Sequence, residues 1–239
     1  MKTSGLIGGM SWESTAEYYR LINAAVRMRL GGLHSAKCVL YSVDFAEIAE
    51  LQRRGQWAQA ARLLVDAAQK VEAAGADLVL VCTNTMHKLA DTIQAGLGIP
   101  LLHIADATAE SVKQAGLRRV GLLGTRFTME EDFYRGRLAA AFGLEVAIPE
   151  AEDRETVHRI IFEELCLGTI RPESKVQAAG IMGRLVESGA EGIILGCTEL
   201  GLLIQAEDCR VPLYDTTLLH ALAAVEFALK AEGHDPLHA

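Results

Sequence analysis

The chain has 239 residues, of which 50% are apolar, and its formal net charge at pH 7 is −8. This length allows one large or two small domains at ~100–200 residues each, and the apolar fraction is sufficient for a buried core. Its lysines and arginines form no basic cluster, which argues against a nucleic-acid partner because phosphate contacts need such clusters. No apolar run reaches the ~18 residues that a membrane span requires, so we expect no membrane association.

The apolar pattern alternates between short continuous runs and helical spacing. In the first half it predicts strands at 4–8, 39–43, 78–82 and 101–104, and helices at 14–30, 57–74, 86–96 and 107–115. In the second half it predicts strands at 120–124, 145–148, 193–195 and 212–214, and helices at 130–142, 155–167, 173–188 and 218–232. Continuous apolar strands separated by helices indicate an α/β fold with parallel sheets that helices cover on both faces.

The second half of the sequence resembles the first. Residues 75–85 (GADLVLVCTNT) and 189–199 (GAEGIILGCTE) are both apolar runs that end in small polar residues, and shorter matches keep the same order elsewhere. We therefore expect two pseudo-symmetric lobes, formed by 1–105 with 210–239 and by 106–209. Ligands of parallel sheets bind beyond the carboxyl ends of the strands, so we expect an active site between the lobes, with one polar tip on either side of a small ligand.

The cysteines indicate a free thiol in a reducing environment. Five cysteines without paired spacing predict neither a disulfide framework nor a metal site. The N-terminal region has no signal-peptide pattern, because Gly8, Gly9, Trp12 and Glu13 interrupt its apolar residues. We therefore expect a cytoplasmic protein.

Cys197 is the strongest candidate for a reactive group. It follows a predicted strand at a point where a helix could begin, and a thiol near a helix N-terminus has a lowered pKa. The alternative is a small core residue, since free cysteines are often buried. Thr83 occupies the matching position in the first half, where it could act in catalysis or cap a turn. Cys82 should point away from Thr83, because strand side chains alternate between faces.

Small polar residues beside these tips are candidates for substrate binding. Asn84, Thr85 and Thr198 lie at predicted helix starts, where side chains and backbone N–H groups could bind a carboxylate; plain N-capping is the alternative. Met10 and Thr125 follow the first strand of each half and should line the same crevice.

The loop predicted after the second strand contains Gln52, Arg53 and Arg54. An arginine there could bind a second carboxylate through two hydrogen bonds, although a solvated surface residue is the commoner case. His87 follows Thr83 by one helical turn, where a structural role is commoner than a catalytic one. Neither a GxGxxG nor a Walker motif is present, so nucleotide binding is not expected.

The segments 5–15 (GLIGGMSWEST), 82–87 (CTNTMH) and 196–200 (GCTEL) resemble the aspartate/glutamate racemase family, and the resemblance extends over essentially the whole chain. It implies two pseudo-symmetric α/β lobes with the active site between them, no pyridoxal phosphate, no metal, and in many members a homodimer. It also implies two facing cysteines, one of which removes the α-proton of an amino acid while the other returns a proton to the opposite face.

The family's second cysteine corresponds to Cys197, and its first corresponds to Thr83. By this resemblance Asn84, Thr85 and Thr198 would hold the α-carboxylate of the substrate. Glu199 completes the second motif and joins the substrate-binding candidates. A lysine of the family falls on Cys166, and the expected arginine falls on Arg53 or passes its role to Gln52.

The sequence therefore predicts a racemase of aspartate or glutamate in which Cys197 and Thr83 differ in acidity. We expect Cys197 to remove the proton more readily than Thr83, so one enantiomer should be the preferred substrate. The resemblance implies that the second-half cysteine serves the L-amino acid, which favours the L-enantiomer. Two other functions fit a single thiol: a decarboxylase of malonate-type acids that uses one cysteine as proton donor, and a non-catalytic amino-acid-binding protein.

Overall fold

The computed structural model describes residues 1–230, which fold into parallel strands and helices. The strands are β1 (Ser4–Gly8), β2 (Cys38–Ser42), β3 (Leu78–Val81), β4 (Arg119–Gly124), β5 (Glu145–Ala147), β6 (Gly192–Gly196) and β7 (Leu213–Asp215). The α-helices are α1 (Trp12–Leu30), α2 (Phe45–Arg53), α3 (Trp57–Ala73), α4 (Ala90–Ala95), α5 (Ile104–Gln114), α6 (Arg126–Glu130), α7 (Asp132–Phe142), α8 (Ala151–Glu163), α9 (Pro172–Glu187), α10 (Leu200–Leu203) and α11 (Thr216–Lys230). Short 3₁₀ turns lie at Thr85–Leu89, Leu165–Leu167 and Ala206–Asp208.

The chain divides into two compact units. The first contains Met1–His103 and the segment that begins at His220, and the second contains Ile104–Leu219. The sheet of the first unit has the parallel order β2-β1-β3, and the sheet of the second has the parallel order β5-β4-β6-β7. In both sheets the first strand of the half lies between the second and the third. The two halves therefore share a strand order, in agreement with the internal sequence match. The predicted α/β class, with parallel sheets flanked by helices, is confirmed.

Strand alternation explains how the first sheet is covered on both faces. Leu6 belongs to a buried cluster with Tyr18 and Ile22 of α1 and with Val225 of α11, whereas its neighbour Ile7 belongs to a second cluster with residues of α2 and α3. Successive strand side chains point to opposite faces, so one apolar run contributes side chains to two cores. This is why the buried strands are continuously apolar rather than alternating.

The second unit has a single large apolar cluster. It joins the central strands to α5, α7, α8 and α9 through fully buried side chains such as Leu122, Leu138, Ile160 and Met182. Tyr134 of α7 is also completely buried within it. The carboxyl ends of β4 and β6 therefore emerge from a densely packed apolar core.

Several predicted elements differ from the structure. The helix predicted at 86–96 is a 3₁₀ turn at Thr85–Leu89 followed by α4. The segment predicted as a loop after β2 contains α2, and the strand predicted at 101–104 is a single bridge between Val79 and Leu101, because Ile104 already begins α5. The strand near residue 213 pairs with β6 and so belongs to the second unit, whereas the sequence had placed 210–239 in the first lobe. The last two residues of the helix predicted at 218–232 lie outside the described residues.

Candidate active site

The Cys197 tip begins where two glycines let β4 and β6 approach closely. Gly124 and Gly196 are register partners. A Cβ atom on Gly124 would lie 2.7 Å from the Gly196 carbonyl oxygen, and one on Gly196 would lie 2.9 Å from the Leu123 carbonyl oxygen. Neither position has room for a side chain, so this pair of glycines sets where the backbone leaves β6 and where Cys197 lies.

The thiol of Cys197 is buried and hydrogen-bonded to a carboxylate. Its residue is only 6% exposed, and its Sγ donates to Oε2 of Glu199 at 2.9 Å. The Thr198 hydroxyl donates to the same oxygen, also at 2.9 Å. An ionised carboxylate only accepts hydrogen bonds, so the thiol is the donor and its proton lies between sulfur and oxygen. Glu199 is therefore a partner of the reactive group and not simply a neighbour.

The sequence predicted a lowered pKa for the Cys197 thiol, and this prediction is wrong. Burial raises the pKa of the thiol well above 9.0, and the negative charge of Glu199 raises it further. The expected helix gives little opposing help, because α10 begins only at Leu200 and is four residues long. At neutral pH the site therefore holds a thiol ready to donate a proton, and a thiolate forms only if another group accepts that proton.

Two threonines at the start of α11 support the tip, and neither is among the candidates predicted from the sequence. The Thr216 hydroxyl donates to the Leu195 carbonyl oxygen at 2.8 Å, and the Thr217 hydroxyl donates to the Thr198 carbonyl oxygen at 3.4 Å. Both residues are at most 1% exposed. Their signal in the sequence is a polar Asp-Thr-Thr run that begins with the last residue of β7, at the same sheet edge.

Thr125, one of the predicted substrate-binding residues, lies at the end of β4. It is buried, and its hydroxyl caps α6 by accepting from the Thr128 backbone N–H at 3.3 Å. Thr125 therefore caps a helix and also lies at the carboxyl edge of the sheet, where the sequence places it.

In the first unit, Thr83 and Cys82 separate as strand alternation predicts. Thr83 is half-buried just beyond β3, and its backbone N–H donates to the Val81 carbonyl oxygen at 2.8 Å. Cys82 is fully buried in the cluster that contains Leu6 and Tyr18. Burial raises the pKa of the Cys82 thiol far above its ordinary value, so this thiol is inert.

Asn84 and Thr85 are almost completely buried at the start of the 3₁₀ turn Thr85–Leu89. Asn84 occupies the N-cap position of this turn, but its side chain makes no capping hydrogen bond there. Simple N-capping therefore does not account for Asn84. The turn is too short to act as a helix dipole, so any carboxylate would be bound by local side chains and N–H groups.

The structure distinguishes between Gln52 and Arg53, which both lie on α2 rather than in a loop. Gln52 is 5% exposed, and its side-chain amide donates to the Met86 sulfur at 2.9 Å. The Arg53 side chain is 74% exposed and forms an ion pair with Glu50. Because neighbouring helical residues face different directions, Gln52 turns inward against Met86 of the 3₁₀ turn Thr85–Leu89, while Arg53 faces solvent. Met10 is buried in the apolar cluster that contains Ile7.

Within residues 1–230, no group of three or more histidine, cysteine, aspartate or glutamate side chains is placed to hold a metal ion. Across the same described part of the chain, no helix is both long and apolar enough to cross a membrane. All five cysteines are free thiols.

Comparisons with known proteins identify the family of the chain. The sequence profile of the Asp/Glu/hydantoin racemase family matches residues 7–224. The crystal structure of a candidate Asp/Glu racemase from Yersinia pestis is 58% identical, with a TM-score of 0.89 over 96% of this chain and 100% of that chain. The structure of PH1733, an aspartate racemase homologue from Pyrococcus horikoshii OT3, is 37% identical, with a TM-score of 0.82 over 95% of this chain and 99% of that one.

A curated relative has a named activity. The broad specificity amino-acid racemase RacX of Bacillus subtilis is 24% identical over 168 residues, which are 69% of this chain and 70% of that protein. The match of the family profile over nearly the whole described chain defines the class of the protein, and the fold agrees with it. The chain belongs to the Asp/Glu/hydantoin racemase family.

Proposed function

We propose that this protein is a cofactor-independent racemase of an acidic amino acid, aspartate or glutamate. The observation that carries the proposal is the buried Cys197 thiol bonded to Glu199 at 2.9 Å, directly after β6. Thr83 occupies the equivalent place after β3 in the other unit. Racemisation needs one group to accept a proton from one face of the α-carbon and another to return a proton to the opposite face.

In this mechanism Glu199 accepts the thiol proton of Cys197, and the resulting thiolate removes the α-proton of the substrate. The electron pair of the broken C–H bond remains on the substrate as a carbanion, and Cys197 becomes a thiol again. The Thr83 hydroxyl then donates a proton to the opposite face and is left as an alkoxide. Solvent returns a proton to Thr83 and takes the one held by Glu199, which restores the starting state. Because Thr198 donates to the same Glu199 oxygen, it fixes the carboxylate that activates the thiol.

The substrate carboxylates are assigned to the buried polar groups around the two tips. The α-carboxylate is bound by Asn84, Thr85 and Thr198. The side-chain carboxylate is bound by Gln52. Met10 and Thr125 shape the pocket. Arg53 is assigned no contact with the substrate in the conformation described, because its exposed guanidinium pairs with Glu50.

We assign the L-enantiomer to Cys197, as the family resemblance implies, and the unequal pair makes it the preferred substrate. Enantiomers have equal free energies, so the equilibrium constant of racemisation is one and kcat/KM must be the same in both directions. The asymmetry is therefore expressed in kcat, with a compensating difference in KM, and in the rate at which each enantiomer exchanges its α-proton with solvent.

A second candidate function is decarboxylation of a malonate-type acid. The raised pKa of the Cys197 thiol favours it, since such a reaction needs one proton donor and no second base. Release of carbon dioxide from substituted malonates, without α-proton exchange on amino acids, would identify this activity. Tight binding of amino acids without either reaction would identify a non-catalytic binding protein.

We further propose that the protein works as a homodimer in the cytoplasm. The support for the compartment is chemical: a mechanism that depends on a free thiol at Cys197 requires a reducing environment. Sedimentation of the full chain would test the dimer.

Proton NMR in D₂O tests the proposed function. The enzyme is mixed separately with L- and D-aspartate and with L- and D-glutamate, in the presence of a chelator and without pyridoxal phosphate. Loss of the α-proton signal together with loss of optical purity is expected. The Cys197→Ser variant should lose both, since an alcohol does not replace the thiolate base; survival of exchange in this variant would contradict the mechanism.

A further inference from the structure

Three histidines of the first unit form a buried cluster that the proposed mechanism has not used. His87, His103 and His220 are between 0% and 8% exposed. The centroid of the His87 ring lies 4.6 Å from that of His103 and 5.7 Å from that of His220. Buried imidazoles need hydrogen-bond partners, and those partners define the orientation of each ring.

The hydrogen bonds assign a tautomer to His220. Its Nε2 lies 2.9 Å from the Leu102 carbonyl oxygen, which can only accept, so Nε2 carries the proton. Its Nδ1 lies 2.8 Å from the Tyr18 hydroxyl and is therefore the acceptor of that group. Burial, followed by the neighbouring His87, lowers the pKa of His220 to about 3, which keeps the ring neutral and the arrangement fixed.

His87 has the opposite tautomer and contacts the tip that bears Thr83. Its Nδ1 lies 2.8 Å from the Thr83 carbonyl oxygen, so Nδ1 must be the donor. The His87 backbone N–H donates to the Asn84 carbonyl oxygen at 3.0 Å, and the Thr83 N–H donates to Val81 at 2.8 Å. The peptide groups on both sides of Thr83 are thus hydrogen-bonded. The His87 ring, which bonds to one of them, packs against the rings of His103 and His220.

We propose that His87 is a positioning residue for Thr83, and that its Nδ1–H bond to the Thr83 carbonyl oxygen aims the Thr83 hydroxyl at the substrate. This inference rests on the proposed racemase function. A threonine side chain rotates about one bond from its backbone, so the orientation of the Thr83 peptide sets where the hydroxyl can reach. His87 touches no reacting atom and acts only through Thr83.

Two outcomes of α-proton removal, exchange with retained configuration and inversion, can be measured separately. Starting from the enantiomer that Cys197 deprotonates, return of a deuteron by Cys197 gives exchange with retained configuration. Delivery of a deuteron by Thr83 gives inversion. A misplaced Thr83 should therefore lower inversion while exchange with retention continues.

The test measures the ratio of inversion to retained exchange in D₂O. His87→Leu removes the donor at similar volume and should lower this ratio roughly ten- to a hundredfold, since small misplacements of a catalytic group have effects of that size. His87→Asn places an amide N–H near the position of Nδ1 and should restore most of the ratio. Equal losses of both events in His87→Leu, or an unchanged ratio, would overturn the proposal.

Tyr18→Phe is the matched control, because it cuts a hydrogen bond of the same buried cluster without touching Thr83. It should lower the melting temperature and leave the ratio unchanged. If Tyr18→Phe lowers the ratio as much as His87→Leu does, the effect is general damage to the cluster and the positioning role is excluded.

A second measurement does not depend on activity. Long-range proton–nitrogen NMR of the full chain, assigned by comparison with His87→Asn, should show His87 with its proton on Nδ1 and His220 with its proton on Nε2. A proton on Nε2 of His87 alone would remove the donor and overturn the proposal, whether or not the protein racemises amino acids. Absence of any α-proton exchange in an enzyme with the expected tautomers would instead contradict the proposed function.

Discussion

Two buried side chains, Cys197 and His220, are kept neutral by the same physical cause. Loss of hydration disfavours the charged form of any buried group, so the pKa of the thiol rises and that of the imidazole falls. The two differ in their neighbours. Cys197 faces a carboxylate that can accept its proton, whereas His220 faces the Tyr18 hydroxyl and the Leu102 carbonyl oxygen, which only hold it in place.

Replacing Glu199 tests whether the carboxylate activates the thiol. In Glu199→Gln the negative charge that raises the Cys197 pKa is gone, so the thiolate should appear at lower pH than in the wild type. Exchange at neutral pH should nevertheless fall, by roughly a hundredfold or more, because the proton acceptor is lost. Ultraviolet thiolate absorbance against pH, with Cys197→Ser as the blank, measures the first effect, and α-proton exchange measures the second. Faster exchange in Glu199→Gln would show that Glu199 only suppresses the thiolate.

His220 should make the protein sensitive to acid. The unfolded chain binds a proton at this residue near pH 6.5, whereas the folded chain binds it only near pH 3. The stability contribution is therefore fully present above pH 6.5 and is lost as the pH falls toward 3. The free energy of unfolding should drop by roughly 2 to 3 kcal/mol over the first two pH units below 6.5.

Urea unfolding at a series of pH values measures this loss. His220→Asn should be less stable than the wild type at pH 7 but should show a shallower decline on acidification. Equal slopes in the two proteins would assign the acid sensitivity to other groups.

At the scale of elements, the pattern of apolar residues predicts those strands whose formation depends only on burial of their side chains. β1, β3, β4 and β6 are continuous apolar runs between helices, and their existence and parallel pairing follow from that pattern. The helix α2 was not predicted, because only three of its nine residues are buried, namely Ile48, Leu51 and Gln52. In a segment taken as a loop, buried and exposed side chains cannot be told apart. The choice between Gln52 and Arg53 therefore needed the structure, and so did the Glu199 contact that determines the pKa of Cys197.

Glycine substitutions test how strictly the β4–β6 contact positions the site. Gly196→Ala would place a Cβ 2.6 Å from a Leu122 methyl and 2.9 Å from the Leu123 carbonyl oxygen. Overpacking of this kind should cost about 1–3 kcal/mol, and it should slow exchange because Cys197 is the next residue.

Gly183→Ala is the contrasting variant, since a Cβ atom at this position in α9 would have nothing within 4 Å of it. Alanine within a helix should raise the free energy of unfolding by about 0.5–1 kcal/mol, with exchange unchanged. Denaturant unfolding and the exchange assay together check both variants. A Gly196→Ala protein with normal stability and rate would show that the strand contact adapts.

At the scale of the whole molecule, a repeated topology has acquired unequal chemistry. The order β2-β1-β3 recurs as β5-β4-β6, and each third strand ends at a polar tip. The repeat was predictable because both halves keep the same apolar runs in the same order. The difference between the tips is predictable from one pair of matched residues, since position 83 is an alcohol and position 197 is a thiol.

Thr83→Cys restores chemical equality to the two tips and should raise the turnover of the poorly used enantiomer, by about tenfold or more, because a thiol is a far stronger acid than an alcohol. Since the equilibrium constant stays at one, kcat/KM must rise equally in both directions, while the difference between the two kcat values shrinks. Progress curves from pure L- and pure D-substrate, followed by circular dichroism, measure all four constants. Thr83→Ser keeps a hydroxyl and should behave like the wild type. If Thr83→Cys leaves the two kcat values as unequal as before, the asymmetry arises from substrate binding and not from the identity of the proton donor.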